Sequence, residues 1–269
     1  MATLRTTSAR VEGSKSTTKT RVARVPYLNS APFFRGFAPQ DAYTLEDYVP
    51  RRLGEQAAAG TLDAGPLPLA DFFRLERSFE RLGRFGIAVR GRAHSALLFA
   101  RRPIRQLDGA VIGVTEETST TALLLRLLLE QRYHLKPAAY ERGLQDAEAR
   151  LVIGDEALRF RQANTRYPYE IDLGFEWWLW QHLPFVFAVW AVRKDLPDDA
   201  KKRLEHALAH ALAVNTAQLE PIVQAAAQEL GLSAAEIQAY LSSFIYRLSQ
   251  PEEEGIARFR ELVDVHHLL

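Results

Sequence analysis

The sequence contains no cysteine. Disulfides, thiolate nucleophiles and cysteine-ligated zinc or iron–sulfur sites are therefore all excluded. Any chemistry that this chain performs must use oxygen and nitrogen groups, and a reducing compartment is weakly favoured.

An excess of charge of either sign is also lacking, since 34 Lys and Arg residues stand against 33 Asp and Glu residues. A nearly neutral chain has no sequence-wide basic field, so the composition argues against nucleic acid and against an anionic membrane as partners. Any site for an anion must be local.

Long apolar runs are missing as well. No stretch approaches the roughly 18 apolar residues of a membrane span. Residues 1–20 hold nine Ser or Thr and four Lys or Arg, and they lack the apolar centre of a signal peptide. The sequence therefore predicts a disordered tail over residues 1–20, no membrane insertion and a cytoplasmic location.

Motifs for cofactors are equally scarce. The phosphate loop G-x-x-x-x-G-K and the dinucleotide motif G-x-G-x-x-G are both absent, so nucleotide cofactors are not expected. His206 and His210 have a helical spacing that zinc can use, but no Glu follows His206 and the surroundings are rich in alanine. We expect neither a cofactor nor a metal.

What the chain does contain is an alternation of short strand-like runs with helical runs, from Arg21 to Leu98 and again after Pro103. This pattern is typical of an α/β fold with mainly parallel sheets. The chain exceeds the usual size of one domain, so two lobes are expected. The predicted strands are residues 43–49, 62–65, 82–89, 95–100, 110–114, 150–153 and 185–192, with Pro66 and Pro68 ending the second.

Beyond Pro197 the pattern is all helical, and the capping boxes Ser233-x-x-Glu236 and Ser249-x-x-Glu252 predict two helix starts. Before it, four tryptophans fall within Trp177 to Trp190. Aromatic residues at that density are more often core, although Trp177 or Trp178 could wall a ring-shaped ligand.

The most informative stretch is Arg24-Val25-Pro26-Tyr27-Leu28-Asn29-Ser30-Ala31-Pro32-Phe33-Phe34. A short buried strand ends near Val25, and Pro32 suits the first residue of a helix. The polar turn between them, with Tyr27, Asn29 and Ser30, lies where α/β proteins gather ligands. An ordinary helix cap is the alternative reading of this turn.

This stretch resembles the N-terminal signature of the chorismate dehydratases of the futalosine route to menaquinone. Further segments that resemble the family follow in the same order, between residues 21 and 195: Gly60-Thr61-Leu62-Asp63-Ala64-Gly65, His94-Ser95-Ala96-Leu97-Leu98-Phe99, Thr115-Glu116-Glu117-Thr118-Ser119-Thr120-Thr121, Ile153-Gly154-Asp155-Glu156-Ala157-Leu158, Asp172-Leu173-Gly174 and Leu183-Pro184-Phe185-Val186-Phe187-Ala188-Val189-Trp190. The family usually has a bulkier residue than Gly65 before Pro66, so the backbone from Gly65 to Pro68 stays open.

The resemblance implies a two-lobed fold of the periplasmic-binding-protein type II class, with the ligand cleft between the lobes and the C-terminal helices packed on the first lobe. The first lobe would comprise residues 21–99 and 192–269, and the second residues 100–191. The implied substrate is chorismate, a small molecule with two carboxylates. The oligomeric state is left open.

The start of the helix after Gly113 is rich in hydroxyl groups, and Thr118, Ser119 and Thr120 could complete a cradle for a carboxylate there. A plain helix cap is the alternative. Glu116 and Glu117 would repel an anion, so we expect both to point outward.

On the family's pattern, Asn29 and Ser95 face each other across the cleft and are the candidate catalytic residues. Ser95 lacks a nucleophile's sequence context, and a regular strand would turn His94 to the opposite face, so Ser95 is interpreted as a donor. The candidate substrate-binding residues are Tyr27, Ser30, Thr118, Ser119, Thr120, Gly154 and Asp155. Asp155 is more readily a cap or a hinge contact than a general base.

The implied reaction is the dehydration of chorismate to 3-[(1-carboxyvinyl)oxy]benzoate, in which a substrate carboxylate could serve as the base. The alternatives are 1,4-dihydroxy-6-naphthoate synthase of the same pathway and a binding protein for a small carboxylate. The synthase has a motif resembling C-P-N-D-T-F in place of Y-L-N-S-A-P, and a binding protein would normally need an export signal.

Overall fold

The computed structural model describes residues 19–37 and 42–269. Its strands are β1 (Thr20–Arg24), β2 (Tyr43–Asp47), β3 (Ala64–Pro68), β4 (Phe79–Val89), β5 (Ala96–Ala100), β6 (Val111–Val114), β7 (Ala139–Arg142), β8 (Ala149–Ile153), β9 (Tyr169–Asp172), β10 (Phe185–Arg193) and β11 (Phe244–Arg247). Its α-helices are α1 (Ala31–Phe34), α2 (Pro50–Ala58), α3 (Leu69–Leu75), α4 (Thr120–Leu127), α5 (Gly154–Ala163), α6 (Leu173–Gln181), α7 (Asp198–Ala217), α8 (Glu220–Leu230), α9 (Ala234–Ser242) and α10 (Gln250–Val265).

The predicted tail falls mostly on residues 1–18, which lie outside the described residues. Its last residue is part of the fold, because Thr20 is buried and pairs with Tyr43 in the first sheet. In the described ranges, no helix is long and apolar enough to cross a membrane.

Two mixed sheets form the framework. The first has six strands in the order β11-β4-β10-β3-β1-β2, and the second has five in the order β7-β6-β8-β5-β9. In the first sheet β1 runs parallel to β2 and β3, while β10 runs antiparallel to β3 and β4. In the second, β6 is parallel to its neighbours but β5 is antiparallel to β8 and β9.

The prediction of mainly parallel sheets was therefore wrong. Strands β5 and β10 each enter their sheet after the chain arrives from the other lobe. A helical crossover within one sheet, which makes neighbouring strands parallel, does not precede them. Strands β7, β9 and β11 were not predicted, and all three lie at sheet edges. Strands β7 and β9 are only partly buried and carry a weak apolar pattern, whereas the apolar β11 lies in the segment beyond Pro197 that was predicted to be all helical.

The chain changes sheets at two places that differ from the predicted boundaries near Ala100 and Ala191. Strand β5 belongs to the second sheet and β10 to the first. The crossings therefore lie at residues 90–95 and 182–184, one strand earlier than predicted in each case. The error arose because a buried strand has the same apolar pattern in either sheet.

Strand β3 includes both prolines that were predicted to end it. Pro66 pairs with Trp190 and Pro68 with Ala188 of β10, whereas β1 pairs with β3 only at Ala64. Residues two apart in a strand direct their backbone nitrogens to the same side of the strand. Both prolines, which have no N–H group to donate, therefore direct their nitrogens to the side of β3 that β1 leaves unpaired.

The C-terminal helices pack on the first sheet. Leu204 and Leu208 of α7 share one buried cluster with Phe33 and Trp190. Phe259 of α10 packs edge-on against Phe185 of β10, with ring centroids 5.2 Å apart. These contacts confirm the expected position of the C-terminal helices.

The tryptophans of α6 do not line a ligand cleft. Trp177 is fully buried, and its ring packs against Phe185 and Phe259. Trp178 packs against His182. The core interpretation therefore holds for Trp177, whereas Trp178 is half-buried.

Candidate active site

A cleft between the two sheets encloses about 600 Å³ of empty space, including its open mouth. The lining comes from both lobes and from the C-terminal segment: Val25, Tyr27, Asn29, Pro50, Pro66, Pro68, Ile87, Ala93, Ser95, Ala96, Thr118, Thr120, Thr121, Ile153, Gly154, Phe187, Ala188 and Phe244.

The turn after β1 presents Asn29 to this cleft. Its fold is held by Ser30, which is buried and donates its hydroxyl proton to the backbone carbonyls of Val25 and Tyr27. Ser30 therefore supports the turn and does not line the cleft. The side chain of Asn29 has no hydrogen-bond partner among the described residues, so its amide is available to a ligand.

Tyr27 lines the cleft with its ring and reaches the other lobe with its hydroxyl group, which donates to the carboxylate of Glu117. Burial, and then this hydrogen bond, raise the pKa of Tyr27 above its usual value. Glu117 is thus turned towards Tyr27 of the other lobe, and its side chain is not part of the cleft lining. Glu116 is exposed, as expected.

Gly154 makes room for the Tyr27 ring. Its φ is +61°, and a Cβ atom there would lie 2.8 Å from two ring carbons of Tyr27. A side chain is thus excluded both by the left-handed backbone and by the ring. The backbone N–H of Gly154 donates to the carbonyl of Ser95 at 2.8 Å, which ties the start of α5 to the cleft wall.

Asp155 joins the lobes from outside the cleft. Its Oδ1 accepts a hydrogen bond from the backbone N–H of Leu28 at 2.9 Å, and its side chain is not part of the cleft lining. Burial raises the pKa of Asp155, and the Leu28 N–H partly opposes that effect. Asp155 therefore has the geometry of a hydrogen-bond contact between the lobes, and it does not lie where a general base would reach a ligand in the cleft.

Of the three predicted hydroxyl residues at the start of α4, two line the cleft and one does not. Thr118 is buried and lines the cleft, and its hydroxyl has no hydrogen-bond partner within residues 19–37 and 42–269. Thr120 also lines the cleft, but its Oγ1 accepts from the N–H of Ala70 at 3.1 Å. Ser119 points away and donates to Asp71 at 2.6 Å.

Thr121 lines the cleft and was not among the predicted residues. Because the first N–H groups of α4 have no partner within the helix, Thr118 and Thr121 stand beside free backbone donors. This end of the cleft is suited to a carboxylate.

Arg142 supports that helix start and was also missed. Its Nη1 donates to the backbone carbonyls of Thr115 and Thr118, at 3.2 and 3.0 Å. Burial and the nearby charge of Arg51 lower the pKa of Arg142. Its guanidinium lies behind the cradle and holds the loop that presents Thr118.

Ser95 lines the cleft, and its hydroxyl group has a partner that the sequence did not predict. The hydroxyl group of Tyr240 in α9 donates to Ser95 Oγ at 2.8 Å. No local pattern could have revealed Tyr240, since 145 residues separate the two side chains.

The segment before Ser95 is held by Asp172 at the start of α6. The buried Asp172 carboxylate accepts the backbone N–H groups of Ala93, His94 and Phe175, at 3.0, 2.7 and 3.0 Å. His94 has a left-handed φ of +61° and β5 begins only at Ala96, so the assumption of a regular strand through His94 was wrong. Burial lowers the pKa of His94, and its side chain is not in the cleft lining.

The electrostatic character of the cleft follows from its lining. None of the described residues that line it has a charged side chain. It offers the neutral polar side chains of Asn29, Ser95 and Thr118 among apolar ones such as Ile87 and Phe187. Such a site can orient a polar ligand and stabilise developing charge, but it contains no strong protein acid or base.

Comparisons with known proteins agree with this architecture. Residues 20–264 match the model of a family described as menaquinone biosynthesis. A chorismate dehydratase from Thermus thermophilus is 30% identical over 254 residues, covering 87% of this chain and 92% of that protein. A 1,4-dihydroxy-6-naphtoate synthase from the same organism is 28% identical over 224 residues, covering 80% of each chain.

Solved structures match at the level of fold. A protein from Archaeoglobus fulgidus has a TM-score of 0.78 at 16% identity, and the match covers 95% of this chain and 100% of that one. A Candida albicans protein described as having the generic periplasmic-binding-protein fold has a TM-score of 0.67 at 12% identity, covering 94% of this chain and 91% of its own. The predicted fold is confirmed, with two mixed sheets.

The family match spans nearly all of the described chain. The chorismate dehydratase from Thermus thermophilus confirms the resemblance that the N-terminal signature and the later segments indicated. We conclude that this chain belongs to the menaquinone biosynthesis family.

Proposed function

We propose that this protein is a chorismate dehydratase, a hydro-lyase that converts chorismate to 3-[(1-carboxyvinyl)oxy]benzoate and water. The observation that carries the proposal is the neutral cleft, which has hydroxyl and amide donors and no charged side chain in its described lining. The dehydratase relative supports it further.

The reaction itself explains why a neutral site suffices. The C3–H bond breaks, its electron pair forms the new ring double bond to C4, and the C4–O bond breaks. The hydroxyl group leaves with the C3 proton as water. Because the ring becomes aromatic, the product supplies much of the driving force, and the protein mainly orients the substrate and stabilises charge.

In this proposal two groups of lining residues bind different parts of the substrate. The start of α4, with the Thr118 hydroxyl and the free N–H groups, binds one substrate carboxylate. Asn29 and Ser95 hold the leaving hydroxyl or the enolpyruvyl group. The second substrate carboxylate takes the C3 proton and delivers it to the leaving hydroxyl, since the lining offers no protein base.

Incubation with chorismate, followed by ultraviolet absorbance, tests the proposal. We expect the absorbance of an aromatic ring to appear with formation of equimolar 3-[(1-carboxyvinyl)oxy]benzoate. Binding of chorismate without turnover would indicate a carboxylate-binding protein instead. Turnover of the naphthoate synthase's substrate, with none of chorismate, would assign the chain to the reaction of its other relative.

A further inference from the structure

Ser95 is the cleft residue whose hydroxyl has a buried partner behind it. Tyr240 O–H donates to Ser95 Oγ at 2.8 Å, and Tyr240 is only 4% exposed. The other contact of Ser95 Oγ within the described chain is the carbonyl of Ala93 at 3.5 Å, at the limit of a hydrogen bond.

The direction of the proton between the two hydroxyl groups follows from burial. Burial raises the pKa of Tyr240 well above its usual value, so its hydroxyl group stays protonated near neutral pH. Ser95 Oγ is its hydrogen-bond partner in the described structure. If Ser95 donated to Tyr240 instead, the tyrosine proton would be buried without an acceptor, which is unfavourable.

Ser95 must therefore accept from Tyr240, and its own proton has to go elsewhere. The Ala93 carbonyl is a poor acceptor for it at 3.5 Å, and Ser95 itself lines the cleft. An oxygen atom of a bound ligand would be the better acceptor.

We propose that Tyr240 is a positioning residue that orders the Ser95 hydroxyl, so that Ser95 donates its proton into the cleft. This inference rests on the proposed dehydration of chorismate and adds a residue from the C-terminal helices to that site. Tyr240 does not touch the substrate. It fixes the direction in which Ser95 offers its hydrogen bond, before the substrate arrives.

The packing around Tyr240 is consistent with this role. Its ring packs edge-on against Phe244, which lines the cleft, with centroids 5.1 Å apart. Helix α9 is anchored by the predicted capping box, in which Ser233 and Glu236 bond reciprocally. The ring packing keeps the Tyr240 oxygen atom beside Ser95 Oγ.

The test is Tyr240→Phe, which removes one oxygen atom and leaves the ring in place. We expect kcat for chorismate to fall about tenfold with KM changed less than about twofold, because the lost order matters most as charge develops. In a Ser95→Ala background the same substitution should change kcat by less than about twofold, since there is no hydroxyl left to orient.

Tyr246→Phe is the matched control. Tyr246 is also buried, close to Tyr240 in the chain, and its hydroxyl has no hydrogen-bond partner in the described residues. Removing it should leave kcat unchanged. The melting temperatures of both variants are measured as well. A fall in melting temperature indicates lost packing, whereas a fall in kcat without it indicates that the Ser95 hydroxyl is no longer oriented.

The outcomes are distinguishable. If the wild type turns over chorismate and Tyr240→Phe matches Tyr246→Phe in kcat, the positioning role is overturned while the proposed function stands. An equal loss from Tyr240→Phe with and without Ser95 would also overturn it, because the effect would be structural. A wild type that does not turn over chorismate would overturn the proposed function and this inference with it.

Discussion

Leu28 and Asp155 lie on opposite lobes and are joined by a hydrogen bond of 2.9 Å from the Leu28 N–H to Asp155 Oδ1. The bond lies directly behind the turn that presents Asn29. Related contacts cross between the lobes nearby, from the N–H of Arg51 to the Glu117 carbonyl at 2.8 Å and from Ser119 to Asp71 at 2.6 Å. The geometry of the cleft thus depends on contacts outside its lining.

The Leu28–Asp155 bond gives a prediction about pH. Burial is the main reason for the raised pKa of Asp155. A carboxyl group whose pKa is higher in the folded state binds its proton more tightly there than in the unfolded chain. Its ionisation therefore costs no stability below the unfolded pKa, and the cost grows as pH rises through the folded pKa.

We accordingly expect Asp155→Asn, which keeps an oxygen acceptor for Leu28, to be at least as stable as the wild type at about pH 7. The difference should shrink as pH falls towards the ordinary Asp pKa of about 3.9, because the wild-type carboxyl, with its raised pKa, takes up its proton in the folded state before the unfolded chain does. Urea unfolding at several pH values measures it. Asp155→Ala, which also loses the acceptor, is the comparison, and it should be less stable than Asp155→Asn at every pH. A wild type more stable than Asp155→Asn at neutral pH would contradict the burial argument.

Asn29 gives a prediction about catalysis. Asn29→Leu keeps the approximate volume and removes every hydrogen bond of the side chain, so turnover of chorismate should fall by about 30- to 1,000-fold, or roughly 2–4 kcal/mol of transition-state stabilisation. The melting temperature should hold, because the turn is maintained by Ser30 and not by Asn29.

Affinity for the aromatic product is the accompanying measurement for Asn29→Leu. The start of α4 should still bind the product carboxylate, so the dissociation constant should change much less than kcat. If Asn29→Leu turned over chorismate at the wild-type rate, Asn29 would have no catalytic role and the turn would be only a helix cap.

Gly154 gives a prediction about the shape of the cleft. A Cβ at Gly154 would lie 2.8 Å from the Tyr27 ring, so Gly154→Ala must displace the ring in addition to straining a left-handed backbone. We expect lower melting temperature, higher KM and lower kcat, measured by thermal unfolding and the chorismate assay.

Gly60→Ala is the control, because Gly60 has a φ of +72° and nothing within 4 Å of a Cβ. Its cost should be about 1 kcal/mol of stability, from backbone strain alone, with unchanged kinetics. Equal losses in the two variants would mean that the Tyr27 ring moves aside without consequence.

Most of the elements were predictable because their signals are local. The strand predicted at residues 150–153 forms as β8 (Ala149–Ile153), and both predicted capping boxes form, at Ser233 and at Ser249. The N-terminal signature located the turn of Asn29 for the same reason, since a strand end, a polar turn and a proline at a helix start are all close in the chain.

The sequence by itself determined the class of fold, the family and the segments that build the cleft, because each depends on the order of residues along a short stretch. Only the tertiary structure decided which side chains face the ligand. Thr118 and Ser119 are neighbours in sequence, yet one lines the cleft and the other bonds to Asp71 on the opposite lobe. Glu117 turns towards Tyr27, and Ser95 is partnered by Tyr240. These partners are brought together by the burial of separate apolar faces, and no local pattern records which distant residue packing will place beside a given side chain.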